Sequence, residues 1–369
     1  MRPVQVLVVD DSMFMRRIIT DLIVDNPAFA VIGTAKNGKE AIALTKQLKP
    51  DVITMDVEMP EMNGLDALVR IMAEQPTPVI MLSSLTVEGA EVTIQALEAG
   101  AIDFVRKPSG SISLDLYKVK LLLHEKLTIA AKSRLSKAAP PPPVPKPTPP
   151  PAPIPLPAAR QPLPSVTDRN VASSLMRFEH IVAIGTSTGG PKALQQVLRQ
   201  LPATFPAPIL VVQHMPPNFT KSLANRLDSL CSIRVVEAEE AMPLMKGTAY
   251  IAPGGYHMTL AAKAGDGYRI RLSKDEPRSG HRPSVDTLFD SLVPFGELKR
   301  HIVLMTGMGS DGAKGMKSLR EAGAATTIAE AEETCVVYGM PRSAVELGCA
   351  GYVLPQQEIS EKLIEQIMK

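Results

Sequence analysis

Three things are scarce in this chain of 369 residues, and each scarcity excludes a class of protein. Cysteine comes first: Cys231, Cys335 and Cys349 are odd in number and form no CxxC pair, which fits a reducing compartment better than a disulfide framework, and zinc-finger spacing is absent. Net charge is the second. Lys plus Arg total 40 against 38 for Asp plus Glu, a formal +2, and no basic run or helix-turn-helix pattern stands out, which argues against a nucleic-acid partner. Long apolar stretches are the third. None reaches the roughly 18 to 20 residues of a membrane span, and the first apolar run ends at Asp10, too early and too acidic for a signal peptide. The expectation is a cytoplasmic monomer without membrane insertion. What the chain does hold is apolar material, 45% against 21% charged, enough for packed cores.

Proline is unevenly spread: 14 of the 34 prolines fall in the 27 residues 138–164. Proline fixes φ and carries no N–H, so this stretch can supply neither helix nor sheet ladder and is expected to be an extended linker, spanning on the order of 80 Å if fully in polyproline II. The length fits two domains, and the chain divides at 1–125, 126–175 (a helix end and the linker) and 176–369. In the first part, five β-rich runs at 4–10, 29–35, 51–56, 78–84 and 102–106 alternate with helical periodicity such as Phe14, Ile18 and Leu22. Continuous apolar strands alternating with helices predict a doubly wound α/β domain with a five-stranded parallel sheet. The same grammar returns after the linker. Strands are expected at 181–185, 209–213, 302–306 and 326–329, and helices at 191–201, 219–230, 313–322 and 358–368. A β-like block at 248–252, 258–262 and 268–273 is broken by glycine turns. A second α/β domain follows, its sheet mostly parallel with an antiparallel hairpin.

Functional crevices of such sheets lie at the carboxyl ends of the strands. In the first domain that rule selects Asp10, Asp11, Asp56, Ser83, Ser84 and Lys107. Three gathered carboxylates repel unless a cation joins them, and an all-oxygen site suits Mg²⁺. Asp56 could then act as a carboxylate nucleophile toward phosphorus, with Lys107 and the Ser83 hydroxyl on the phosphoryl oxygens. Taken singly, each aspartate could instead cap a helix, as Asp11 or Ser12 could for the first. The ordered set, which is strand-Asp10-Asp11, Asp56-x-x-Met59-Pro60-x-x-x-Gly64, strand-Ser83-Ser84 and Lys107-Pro108, resembles a response-regulator receiver domain. The resemblance implies phosphorylation of Asp56 by a histidine kinase. It also implies Mg²⁺ held by Asp11, Asp56 and the Glu58 backbone carbonyl, with Asp10 acting through water, and an aromatic switch residue at Phe104.

In the second domain, Gly185-Thr186-Ser187-Thr188-Gly189-Gly190-Pro191 joins a strand to a helix, a setting that exposes a hydroxyl above the sheet near helix N–H groups. His214 ends the next strand, where neighbouring parallel strands would set it beside Ser187. Asp311, in Gly307-Met308-Gly309-Ser310-Asp311-Gly312, falls on the same edge and could orient the imidazole. Other readings stand beside this one. Ser187, His214 and Asp311 could be caps or structural groups. The glycines at 307, 309 and 312, with Glu330 about 20 residues on, match a dinucleotide fingerprint. Gly185 to Lys192 looks like a phosphate loop that lacks its Ser or Thr. His257 and His281 could line a cleft.

The set Gly-x-Ser-Thr-Gly-Gly-Pro, Gln-His-Met-Pro, Ala-Pro-Gly-Gly-x-His, His-Arg-Pro-Ser-Val-Asp and Thr-Gly-Met-Gly-x-Asp-Gly resembles the catalytic domain of the CheB family of chemotaxis protein-glutamate methylesterases. The resemblance implies Ser187 as nucleophile, His214 as general base and acid, Asp311 as its orienter and the Met308 N–H as oxyanion donor. No cofactor is implied in this domain. Thr186 departs from the family's usual alanine or serine and leaves Thr188 as a rival nucleophile. The implied activity is phosphorylation-activated demethylation of glutamyl esters on chemoreceptors, with methanol released, and deamidation of receptor glutamines. A receiver-regulated dehydrogenase and a receiver joined to a pure binding module are the competing expectations.

Overall fold

The computed structural model describes residues 2–84, 86–108, 113–133, 177–264 and 267–368. The proline-rich stretch 138–164 lies outside the described residues. The first sheet has strands β1 (Val4–Val9), β2 (Phe29–Ala35), β3 (Val52–Asp56), β4 (Val79–Ser83) and β5 (Asp103–Arg106), in the order β2-β1-β3-β4-β5 with every pairing parallel. Helices α1 (Met13–Val24), α2 (Gly38–Leu48), α3 (Gly64–Glu74), α4 (Val87–Glu98) and α5 (Ser113–Lys132) alternate with them. β3 and β4 are buried at every position, which is why their sequences are continuously apolar and do not alternate. Ser12, Asn37, Asn63 and Thr86 each accept a backbone N–H three residues on, and so set the starts of α1 to α4. Ser12 therefore takes the capping role open to Asp11, and the exposed Asp11 carboxylate stays with the acid cluster.

The second sheet has seven strands in the order β14-β13-β12-β6-β7-β9-β8, again with parallel pairings throughout. In chain order its elements are β6 (His180–Thr186), α6 (Gly190–Leu198), β7 (Ile209–Gln213), α7 (Phe219–Leu230), β8 (Arg234–Glu237) and β9 (Thr248–Ile251). There follow β10 (His257–Ala264), β11 (Gly267–Ser273), α8 (Val285–Ser291), β12 (Lys299–Leu304), α9 (Ala313–Glu321), β13 (Thr326–Glu330), α10 (Met340–Glu346), β14 (Tyr352–Leu354) and α11 (Gln356–Met368). β10 and β11 form the antiparallel hairpin. The first run of the β-like block, β9, instead enters the parallel sheet between β7 and β8. Its four residues are all buried, so it needs cover on both faces, whereas β11 alternates between buried and exposed positions.

β6 sits centrally, with its later neighbours laid down on opposite sides: β7 on one, β12 on the other. The strand ends there form the switch-point crevice of a doubly wound sheet. The two halves share one apolar core across their junction. Leu97, Ala101 and Phe104 from the first half belong to the same buried cluster as Phe219, Leu223 and Leu227 on α7.

Candidate functional sites

In the first half, β1 carries Asp10 and Asp11 to the sheet edge, β3 carries Asp56, and Lys107 follows β5. The three carboxylates lie within 4.8 Å of one another. Lys107 Nζ stands 2.7 Å from Asp10 Oδ2 and 2.6 Å from Asp56 Oδ2, the cation opposite the cluster. Burial pushes the Asp56 carboxyl up to about 6, with the charge of Asp10 adding to the rise against the pull of Lys107. An all-oxygen donor set whose negative charge is only partly offset can hold a hard divalent cation. Glu58 enters the site through its N–H, which donates to Asp56 Oδ1 at 3.3 Å. Ser83 reaches the strand end, but its hydroxyl is turned into α4, where it accepts from Thr93 Oγ1 at 2.7 Å and lies 3.3 Å from the Gly89 carbonyl. Phe104 is buried and stacks on Phe219, with ring centroids 4.5 Å apart.

In the second half, Ser187, His214 and Asp311 follow β6, β7 and β12, the three strands at the switch point. His214 Nε2 lies 2.8 Å from Asp311 Oδ2. Among the described residues, the other ring nitrogen, Nδ1, is buried without a hydrogen-bond partner. Asp311 is built to stay ionised. Its Oδ1 accepts from Ser284 Oγ and the Asp286 N–H, and its Oδ2 accepts from the Val285 N–H. Burial alone would raise its carboxyl, but His214 and these N–H groups hold it down to about 2.

Gln213 ties the two loops together. Its amide donates to the Ser187 carbonyl at 2.9 Å and the His214 carbonyl at 3.2 Å, while its oxygen accepts from Thr186 Oγ1 at 2.7 Å. The chain here runs too close for side chains: a Cβ on Gly190 would fall 2.0 Å from Gln213 Oε1, and one on Gly307 would fall 2.3 Å from Met340 Sδ and 2.8 Å from Ser187 Cβ. Ser187, His214, His281, Met308 and Gly309 all line one cavity of about 530 Å³. Its opposite wall comes from the first half and includes Phe104, Arg106, Glu125 and Lys126.

The competing expectations fare differently. Thr188, the rival hydroxyl, is buried and donates to Asp103 Oδ2 across the junction. Asp103 is also paired with Lys126 at 2.6 Å. The dinucleotide reading needs free N–H groups at the start of α9 and a free acid at residue 330. Asp286 Oδ1 already takes the Gly312 and Gly315 N–H groups at 2.9 and 2.7 Å. Glu330 is fully buried and accepts the Thr306 N–H at 2.8 Å. A pyrophosphate would meet a carboxylate where it needs donors. Sequence reasoning passed over Gln213, Ser284 and Asp286. Their only signal was membership of the Gln-His-Met-Pro and His-Arg-Pro-Ser-Val-Asp strings, because their bonds join residues far apart in the chain.

Comparison with known proteins agrees with both halves. Residues 182–363 match the CheB methylesterase family and residues 6–116 the response regulator receiver domain. A protein-glutamate methylesterase/protein-glutamine glutaminase of Geobacillus kaustophilus is 49% identical over 367 residues, covering 100% of this chain and 99% of that protein. The protein of the same description from Halalkalibacterium halodurans is 48% identical over 366 residues, covering 98% of each. The crystal structure of the Thermotoga maritima CheB methylesterase catalytic domain is 49% identical, covers 51% of this chain and 99% of its own, and has a TM-score of 0.49. Identity of this order along the whole length, with a receiver match ahead of a methylesterase match, places the chain in the CheB family of protein-glutamate methylesterases/protein-glutamine glutaminases.

Proposed function

We propose that this protein is a receiver-controlled esterase that removes methyl groups from glutamyl esters of chemoreceptors and deamidates receptor glutamines, through Ser187, His214 and Asp311. The observation that carries the reading is the 2.8 Å contact of His214 Nε2 with a carboxylate held at about 2, on the same cavity wall as Ser187. With its Nε2 proton donated to Asp311, neutral His214 keeps a lone pair on Nδ1 to take the Ser187 proton. The Ser187 oxygen attacks the γ-carbonyl carbon, and negative charge develops on the carbonyl oxygen facing the Met308 N–H. His214 returns the proton to the departing methoxide, which leaves as methanol, or to the amide nitrogen of a glutamine, which leaves as ammonia, and then deprotonates a water that releases the acyl group.

On this reading Asp56 is the phosphoryl acceptor for a histidine kinase, with Lys107 and Ser83 contacting the phosphoryl oxygens. Asp10, Asp11, Asp56 and the Glu58 carbonyl would hold Mg²⁺, which neutralises charge during the transfer. The Ser83 hydroxyl would have to leave Thr93 to take part. Residues 1–125 are the receiver, 126–175 the connection and 176–369 the catalytic domain. The receiver side of the cavity covers Ser187 at rest, and phosphorylation shifts the population toward an uncovered form. In a test with full-length protein, Mg²⁺ and a small acyl phosphate, Ser187→Ala should abolish methanol release from methylated receptors. Turnover at the unsubstituted rate would overturn the nucleophile assignment.

A further inference from the structure

The rings of His214 and His281 lie face to face, with centroids 3.8 Å apart and planes 6° from parallel. His281 is delivered by a tight reversal. Its N–H donates to the Arg278 carbonyl at 2.9 Å, and the Arg278 N–H donates back at 3.1 Å. The two residues between, Ser279 and Gly280, have φ of 53° and 80°, the left-handed pair of a type I′ turn. A serine held there is costly, so the surroundings must impose the turn. They do: Arg278 is paired with Asp290 of α8 at 2.6 Å, the Arg282 guanidinium donates to the Lys274 and Asp275 carbonyls at 2.9 and 3.0 Å, and the Arg282 carbonyl accepts the Gly255 N–H at 3.1 Å. The second imidazole is thus clamped from both sides before any substrate arrives.

We propose that His281 is a positioning residue for His214: its ring fixes the plane of the working imidazole against Asp311 and supports the imidazolium that forms when Ser187 gives up its proton. The proposal rests on the Ser187, His214 and Asp311 reading above. Asp311 restrains one edge of His214 only, and the ring could still tilt about that contact. A flat neighbour against its face removes that freedom and presents π-density to the developing cation. This works only while His281 is uncharged. The charged and titratable groups facing it are His214 with Asp311 behind it, and Lys126, Glu125 and Arg106 across the cavity. Burial first, and repulsion from His214 whenever that ring is protonated, hold His281 down to about 4, so it is neutral where the enzyme works. Protonation of both rings would set two cations face to face and end the support.

The test is methanol release from methylated receptors by the full-length, phosphodonor-treated protein, read as kcat and KM across pH. His281→Ala should lower kcat by about tenfold to a hundredfold with KM little changed, because misplacement of a reacting group by about 1 Å has that effect. His281→Phe, which keeps a ring on the same face, should recover most of that loss. Nitrogen NMR of His214 should find its proton on Nε2 in the unsubstituted protein and H281F, and shared between the two nitrogens in H281A. Unsubstituted kcat in H281A, or a KM rise with kcat intact, overturns the proposal. If H281A does not fold, H281F is set against H281L, and equal kcat values in those two overturn it as well. Ser187→Ala, run alongside, separates the two readings. An inactive S187A beside a fully active H281A sinks only the role of His281, whereas an active S187A sinks the triad itself.

Discussion

Asp56 carries a pH signature of its own. Its folded-state value of about 6 lies above the ordinary carboxylate value of 3.8, so the charged form costs stability. There is no cost below pH ~4, and the cost grows as pH rises through about 6. At about 1.4 kcal/mol per unit, a two-unit rise bounds the penalty near ~3 kcal/mol at pH 7. Asp56→Asn removes that charge, and urea unfolding at pH 7 should show a gain on the order of 1–2 kcal/mol that disappears at pH 4. An equal gain at both pH values would mean that the strain is not electrostatic. Mg²⁺, if held by the acid cluster, would relieve the same repulsion, so it should stabilise the unsubstituted protein at pH 7 far more than the Asn variant. Neighbouring hydroxyls also differ in what they are free to do. Thr188 spends its O–H on a hydrogen bond to Asp103, whereas Ser187 lines the same cavity as His214, although the two residues are adjacent in the chain.

Among the elements, α9 depends on a single acid. Asp286, from the first turn of α8, takes the N–H groups of Gly312 and Gly315 and so holds the turn that presents Asp311. Asp286→Ala strands two buried donors, and each unsatisfied group costs about 1–3 kcal/mol. Stability and turnover should fall together, and Asp286→Asn, which keeps an acceptor oxygen, should restore most of both. Loss of turnover without loss of stability in the alanine variant would show that the acid acts on the reaction and not on the helix. The major strands were legible because buried parallel strands read as continuous apolar runs. β8 and β14, at four and three residues, offered too little pattern, and α8 and α10 span only seven residues each, two turns without a full amphipathic repeat. For the site, strand-end logic brought Ser187, His214 and Asp311 to one edge. His281 was visible only as a histidine in a loop. The contact that gives it meaning joins positions 67 residues apart, and no local pattern encodes such a pairing.

At the scale of the whole molecule, the shared apolar core of the two halves is reinforced by side-chain contacts across the junction. Phe104 stacks on Phe219, Thr188 donates to Asp103, and Arg226 makes a bidentate pair with Glu98, with distances of 2.8 to 3.1 Å. If these hold the cavity covered at rest, weakening them should raise turnover without a phosphodonor and draw it toward the phosphodonor-treated rate. Arg226→Glu sets two acids against each other, and Glu98→Arg in the same chain should restore the pairing. Hydrolysis measured with and without phosphodonor in the single and double variants checks this, and identical resting rates in all of them would exclude a role for the pair. One consequence follows from the fact that Phe104 and Phe219 belong to one polypeptide. An intramolecular stack has an equilibrium that dilution cannot change. If the covered form is the quiet one, its fraction would therefore be the same whether a cell makes few copies or many, and a change in the receiver would be needed to shift it.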